Sequence, residues 1–222
     1  MKAKILAQVQ SKFSEKKQKK WIEFEDSHEW IKIIEHQNSK CDINRLFEQT
    51  EFEGKLREVG EPQLLPGEYY GQMKDGKRDG FGIILCIDDQ QRGHFYAYEW
   101  KEGFPINEGR HVMTDYQLYK FEGILDAELY LTGQGKMIAE DGTEYIGGWK
   151  KGKFHGQGIL KKKNGWSYFG MWKDNQRHGP GIEIEASGEY CEGKWEENQQ
   201  VGLKKYYSKE KMLIKTQEQS QK

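Results

Sequence analysis

Residues 141–184 contain one pattern written twice, and that repetition limits the possible folds more than any other feature of the chain. Tyr145, Gly147, Trp149, Gly152, Gly156 and Gly158 recur twenty-three residues later as Tyr168, Gly170, Trp172, Asn175, Gly179 and Gly181. His155 recurs as His178. A fixed period of this length means that one supersecondary unit is used several times, each copy burying its faces against the next.

The spacing inside the unit is that of a β-hairpin. Tyr145, Gly147 and Trp149 alternate with Ile146 and Gly148, so in a strand they share one face and the others point away. Gly156, Gly158 and Leu160 share a face of a second strand. The residues from Lys150 to His155 have turn composition, and Asp141-Gly142 or Asn164-Gly165 supplies a tight turn into the next unit. A strand glycine leaves room above the backbone that a neighbouring ring can cover. Rings and glycines therefore belong together in one framework. Trp172 sits in the regular part of it, and its truncation is expected to cost more than that of Trp100, which lies in a degenerate unit.

The pattern Y-x-G-x-W-x-x-G-K-x-H-G-x-G, matched almost throughout by Tyr145 to Gly158, resembles the MORN repeat (membrane occupation and recognition nexus). The resemblance implies a mainly β protein: an elongated antiparallel sheet of tandem hairpins, expected here to carry a small α/β cap at its N-terminal end. Read in the same frame, the array spans residues 67–207 in about six units. Tyr69, Gly71, Met73, Gly76, Gly80 and Gly82 open it, with Met in the Trp position. Tyr96, Tyr98 and Trp100 follow, with Tyr98 and Asn107 where glycines belong and Pro105 disfavouring a regular strand. Phe121, Gly123 and Leu125 reach Gly133 and Gly135 one residue late, as a longer turn or bulge would require. Cys191, Gly193 and Trp195 form the last, atypical unit.

The flanks differ from the array. Residues 1–20 carry seven lysines against Glu15 alone, with Met1, Ile5, Val9 and Phe13 at a spacing of four. Such a segment is either a solvated tail or a basic amphipathic helix for an anionic surface, with Lys16, Lys17, Lys19 and Lys20 as its densest run. It lacks the apolar run of a secretory signal and the arginines of a transit peptide. Residues 21–66 are acidic. There, Trp21–Glu25 and Trp30–Ile34 suit a hairpin or, with Ser27 as a cap, a helix; Asp42–Gln49 reads as a short capped helix. The segment is expected to close the open edge of the first repeat, and Phe52–Leu56 looks like a decayed first strand. Residues 208–222 are polar apart from Met212, Leu213 and Ile214, which suits a tail or a short docking helix.

Chemistry is sparse. None of the Gly-Lys pairs is followed by the Ser or Thr of a phosphate-binding loop, and the G-x-G pairs sit in hairpins rather than opening helices. His155 and His178, in equivalent turns of adjacent units, would be about 9 to 10 Å apart, too far to share one zinc ion. His28, His36, His94 and His111 lack ligand-like spacing. Three scattered cysteines, Cys41, Cys86 and Cys191, suit a reducing compartment, and no apolar run is long enough to span a bilayer. The formal net charge of -1 gives no global field toward nucleic acid. No catalytic, cofactor or metal site is expected. Tyr145, Trp149, Tyr168, Trp172 and Trp195 are candidates for contacting a partner, although covering glycines is their simpler role.

The resemblance implies a non-catalytic scaffold bound to other proteins of a cytoskeletal or ciliary (axonemal) assembly in the cytoplasm, and the lysine arm of residues 1–20 suits an acidic surface such as that of a microtubule. The alternative is a peripheral module that binds anionic phospholipid.

Overall fold

The computed structural model describes residues 47–219, and these are all β. They divide into two compact units, one ending at Tyr130 and the other starting at Leu131. In the first unit, β1 (Phe47–Phe52), β2 (Gly67–Lys74), β3 (Lys77–Ile87), β4 (Gly93–Lys101), β5 (Phe104–Thr114) and β6 (Leu118–Leu125) pair antiparallel in sequence order. In the second unit, β7 (Leu131–Ala139), β8 (Glu144–Lys150), β9 (Lys153–Lys161), β10 (Ser167–Lys173), β11 (Gln176–Ile184), β12 (Tyr190–Glu196), β13 (Gln199–Tyr207) and β14 (Leu213–Gln219) do the same.

Two kinds of turn alternate, and the sequence explains both. Within a repeat, Asp75-Gly76, Glu102-Gly103, Lys151-Gly152, Asp174-Asn175 and Glu197-Asn198 make two-residue turns with positive φ at both positions. Those φ values match the right-handed twist of the flanking strands. Between repeats, Ala139–Thr143, Lys162–Trp166 and Glu185–Glu189 close through paired backbone bonds, with Gly142, Gly165 and Gly188 in the left-handed region. The bonds run from Ala139 N–H to Thr143 O at 2.8 Å and from Gly142 N–H to Ala139 O at 3.0 Å.

A bulge recurs opposite the first strand of each repeat, as at Gly71/Met73, Ala97/Glu99, Gly147/Trp149, Gly170/Trp172 and Glu192/Lys194. The residue that makes it has positive φ: Gly80, Gly156, Gly179 and Gly202, and Asn107 in the degenerate repeat. Asparagine tolerates that conformation better than other side chains, so Asn107 keeps the bulge without a glycine. Pro105 does not interrupt β5. It stands opposite Trp100, one pair beyond the turn, and pairing with β6 begins only at Gly109. The missing N–H therefore falls where no strand needs it. The late arrival of Gly133 and Gly135 reflects a longer turn, Asp126–Tyr130, capped by the Asp126 carboxylate on the Glu128 and Tyr130 N–H groups.

Several local expectations require correction. Asp42–Gln49 is not a helix throughout, because Phe47–Gln49 already belong to β1, where Phe47 stacks on Tyr70 across the pair. β1 also precedes Phe52–Leu56. Phe52 ends the strand buried, Gly54 turns at φ 85°, and Lys55 and Leu64 bridge to close a loop. At the other end, Leu213–Gln219 is neither a tail nor a helix but an added strand on β13. The turn before it repeats the inter-repeat device, with Ser208 N–H on Met212 O and Lys211 at φ 64° in the glycine position. Met1, Trp21–Glu25, Trp30–Ile34 and the lysines Lys16, Lys17, Lys19 and Lys20 lie outside the described residues.

Candidate functional site

The geometry of the repeat is set by a row of glycines. Cross-strand pairing aligns Gly135, Gly147, Gly158, Gly170, Gly181 and Gly193 over β7 to β12. Each tyrosine ring lies over two of them. Tyr145 covers Gly147 and Gly158, Tyr168 covers Gly170 and Gly181, and in the first unit Tyr69 covers Gly71 and Gly82. The phenol then reaches the backbone three residues on: Tyr145 OH donates to Gly148 O at 3.0 Å and Tyr69 OH to Gln72 O at 3.0 Å. Burial pushes the Tyr168 hydroxyl up to about 12 and that of Tyr145 further in the same direction.

Tryptophans stand edge-on between these tyrosines. Trp172 meets Tyr145 at 5.6 Å and Tyr168 at 5.2 Å between ring centroids, and Trp195 meets Tyr168 at 5.1 Å. The indole N–H of Trp172 donates to Gly158 O at 3.3 Å. In the degenerate repeat, Trp100 makes the same bond to Gly82 O at 3.2 Å and packs edge-on against Tyr69. Trp100 is as buried as Trp172, at 1% and 5% exposure, so the expected difference between them does not survive. The strand glycine lost at Tyr98 leaves the tryptophan site itself intact.

The outer surface of each tyrosine is covered by the residue nine positions later, a feature that the motif did not suggest. Phe154 stacks on Tyr145 at 3.7 Å, while the guanidiniums of Arg177 and Arg78 lie 5.5 and 5.3 Å over Tyr168 and Tyr69. Ring stacking and cation–π attraction thus serve one structural purpose. Tyr145, Trp149, Tyr168, Trp172 and Trp195 are all buried in this ladder. Their rings face one another and the glycine backbone, so they present little surface to a partner.

The opposite face of the second unit is open. Cross-strand pairing aligns Ile146, Ile159, Phe169 and Ile182, flanked by Lys136 on β7 and Glu192 on β12. Ile146, Phe169 and Met171 are 50%, 39% and 39% exposed. An open groove of about 370 Å³ runs beside them, lined by Gln157, Phe169, Met171, Pro180, Ile182, Glu192 and the backbone of Gly170, Gly181 and Gly193. In the first unit the same face carries a buried cluster of Ile83, Leu85, Ile87, Phe95, Ala97 and Val112, in which Ile83 and Ala97 stand where Ile159 and Phe169 do. The only sequence sign of the open face is apolar side chains at the variable positions of Y-x-G-x-W, which attention to the invariant positions passes over.

Polar chemistry is concentrated in the first unit. His94 and His111, unremarkable by spacing, meet because Tyr96 and His111 are direct partners across β4 and β5. His94 Nδ1 lies 2.9 Å from His111 Nε2, and His94 Nε2 lies 3.1 Å from the Asp88 carboxylate. His155 and His178 lie on β9 and β11 rather than in turns; His155 faces Asp174 at 3.7 Å. Cys86 and Cys191 are buried thiols outside any disulfide. Among the described residues, no three His, Cys, Asp or Glu side chains could together hold a metal ion.

Tandem β-hairpins with aligned glycines under buried tyrosines define a repeat protein, and its second unit leaves one apolar face exposed. The MORN repeat family matches residues 69–90, 145–167 and 168–189, and these three stretches are MORN repeats. MORN repeats are modules of protein and lipid interaction. No curated protein matches the chain.

Proposed function

We propose that this chain is a non-catalytic scaffold that holds another protein on the open face of its second unit. The observation that carries this is the row Ile146, Ile159, Phe169 and Ile182 with Met171 beside it, in which Ile146, Phe169 and Met171 are exposed and the other two half-buried, whereas the same face of the first unit holds a buried apolar cluster. A contiguous apolar surface rimmed by Lys136 and Glu192 suits an amphipathic segment with complementary charges at its ends. By resemblance, the setting is a cytoskeletal or ciliary assembly in the cytoplasm.

The test is affinity capture of the full chain from its native cell, compared with Phe169→Glu/Met171→Glu. Both side chains project away from the tyrosine–tryptophan ladder, so circular dichroism should be unchanged while the captured partners are lost. Retention of the same partners by the double variant would rule out this face. Extraction of the tagged chain from a cytoskeletal fraction in rising salt would test the assembly itself.

Anionic lipid is the second reading, favoured by the seven lysines of residues 1–20. Residues 67–207 carry 22 carboxylates against 19 lysines and arginines, so electrostatics works against membrane binding by the array. The full chain should co-float with phosphatidylserine-containing liposomes at low salt, at about 1 kcal/mol per lysine near the surface, and a chain lacking residues 1–20 should not. Flotation of the shortened chain would move lipid binding to the repeats.

A further inference from the structure

The first unit encloses a set of titratable side chains that no contact surface requires. Asp88 opens the turn between β3 and β4. One carboxylate oxygen accepts the N–H groups of Gln90 at 3.0 Å and Arg92 at 2.9 Å. The other accepts Arg92 Nε at 2.7 Å and faces His94 Nε2 at 3.1 Å. Burial alone would raise this acid, but the bonds from His94 and the Arg92 backbone hold it ionised, at about 2. A carboxylate only accepts, so the proton of neutral His94 must sit on Nε2. Nδ1 is then a bare acceptor, and His111 Nε2–H donates to it across 2.9 Å, with the Tyr96 hydroxyl at 3.3 Å. Every link is satisfied with both rings neutral.

A proton added to either ring is opposed by burial and by an excess of positive charge, which the Asp88 carboxylate offsets only in part. Arg57 and Arg92 supply two positive charges nearby against the one carboxylate of Asp88. The remaining neighbours are Cys86, which pairs with His94 across β3 and β4, Tyr96 on β4, Phe121 stacked on His111 from β6, and Tyr130 beneath Arg57. None of these offers a negative charge at neutral pH. Burial above all, with repulsion from the two arginines, lowers His94; burial, His94 and the same arginines lower His111 further.

We propose that Asp88, His94 and His111 form a proton-operated latch, which holds the first unit closed while both rings are neutral and releases it on acidification. The parts it joins are specific. Leu64 bridges both Asp88 and Lys55, and Asp89 N–H donates to Gln63 O at 3.0 Å, so the Asp88 turn anchors the loop of residues 53–66. From that loop Arg57 reaches Tyr96 OH at 3.5 Å and the carbonyls of Glu128 and Leu129 at 3.0 Å each. Opening the latch frees a loop whose Leu56 and Val59 already project into solvent.

The sign follows from the lowered histidines. Their contribution is fully present above the unfolded value of about 6.5 and is lost as pH falls through it toward the folded values. Between pH 7.5 and 5.5, the opening constant of the first unit should rise up to about tenfold per histidine, or about a hundredfold for the pair. The second unit has only the half-buried His155 and His178 and serves as an internal control.

Amide hydrogen exchange of the full chain at the two pH values, corrected for intrinsic rates, tests the latch. Residues 83–97 and 109–114 should lose protection up to about a hundredfold relative to residues 145–196. His111→Phe keeps a ring between Tyr96 and Phe121 and leaves His94 Nδ1 to the Tyr96 hydroxyl; it should remove about one tenfold step of the response. Should that variant fail to fold, nitrogen shifts of the wild-type imidazoles give the answer, with both rings expected to titrate below the unfolded value of about 6.5 and neutral His94 to carry its proton on Nε2. Equal loss of protection in both units, an undiminished response in His111→Phe, or imidazoles that titrate near 6.5 would each overturn the proposal.

Discussion

Trp172→Ala and Trp100→Ala are each expected to destabilise the chain by about 3 to 5 kcal/mol, the usual cost of emptying a buried tryptophan site. The two indoles occupy the same place in their repeats. Each donates to a glycine carbonyl on the preceding strand, Gly158 for Trp172 and Gly82 for Trp100, and each meets a buried tyrosine edge-on. Removing either ring leaves that glycine carbonyl without its indole donor and takes away the edge-on neighbour of a buried tyrosine. Guanidinium unfolding followed by near-ultraviolet circular dichroism would measure both. A cost at Trp100 below half that at Trp172 would show that the loss of the strand glycine at Tyr98 weakens the whole repeat.

Gly170→Ala should be comparably damaging, at about 3 kcal/mol, the upper end of the usual cost of overpacking. Its Cβ would lie 2.6 Å from Cζ of Tyr168 and 2.7 Å from Cα of Gly181. The second contact is backbone of a paired strand and cannot step aside, and moving the ring breaks its edge-on packing with Trp172 and Trp195. Gly156→Ala provides the contrast. That position is open, and its φ of 71° leaves only the left-handed penalty of about 1 to 2 kcal/mol. Equal denaturation midpoints for the two variants would show that the rings do not require the glycine row beneath them.

The hairpin period, the alternation of faces and the turn positions follow from the sequence because they are local. A tyrosine, a glycine and a tryptophan at a spacing of two share a face whatever surrounds them, and Asp141-Gly142 or Asn164-Gly165 fixes a turn by its own backbone preference. The repeats at 69–90, 145–167 and 168–189 were legible for the same reason. β14 was not, because its side chains Ile214, Thr216 and Glu218 have replaced the tyrosine, glycine and tryptophan of the motif. Only its backbone pairing with β13 and the turn at Ser208–Met212 mark it as another strand. Tertiary structure also decided which face is available. Alternation places Phe169 opposite Tyr168 but cannot say which of the two is covered. That depends on glycines aligned from six strands, on Phe154 and Arg177 closing over the tyrosines, and on the absence of equivalent cover above Ile146 and Phe169 among the described residues. The histidine pair was hidden in the same way. His94 and His111 are seventeen residues apart in the chain, and only the register of β4 against β5, together with the turn at Asp88, brings their rings within one hydrogen bond.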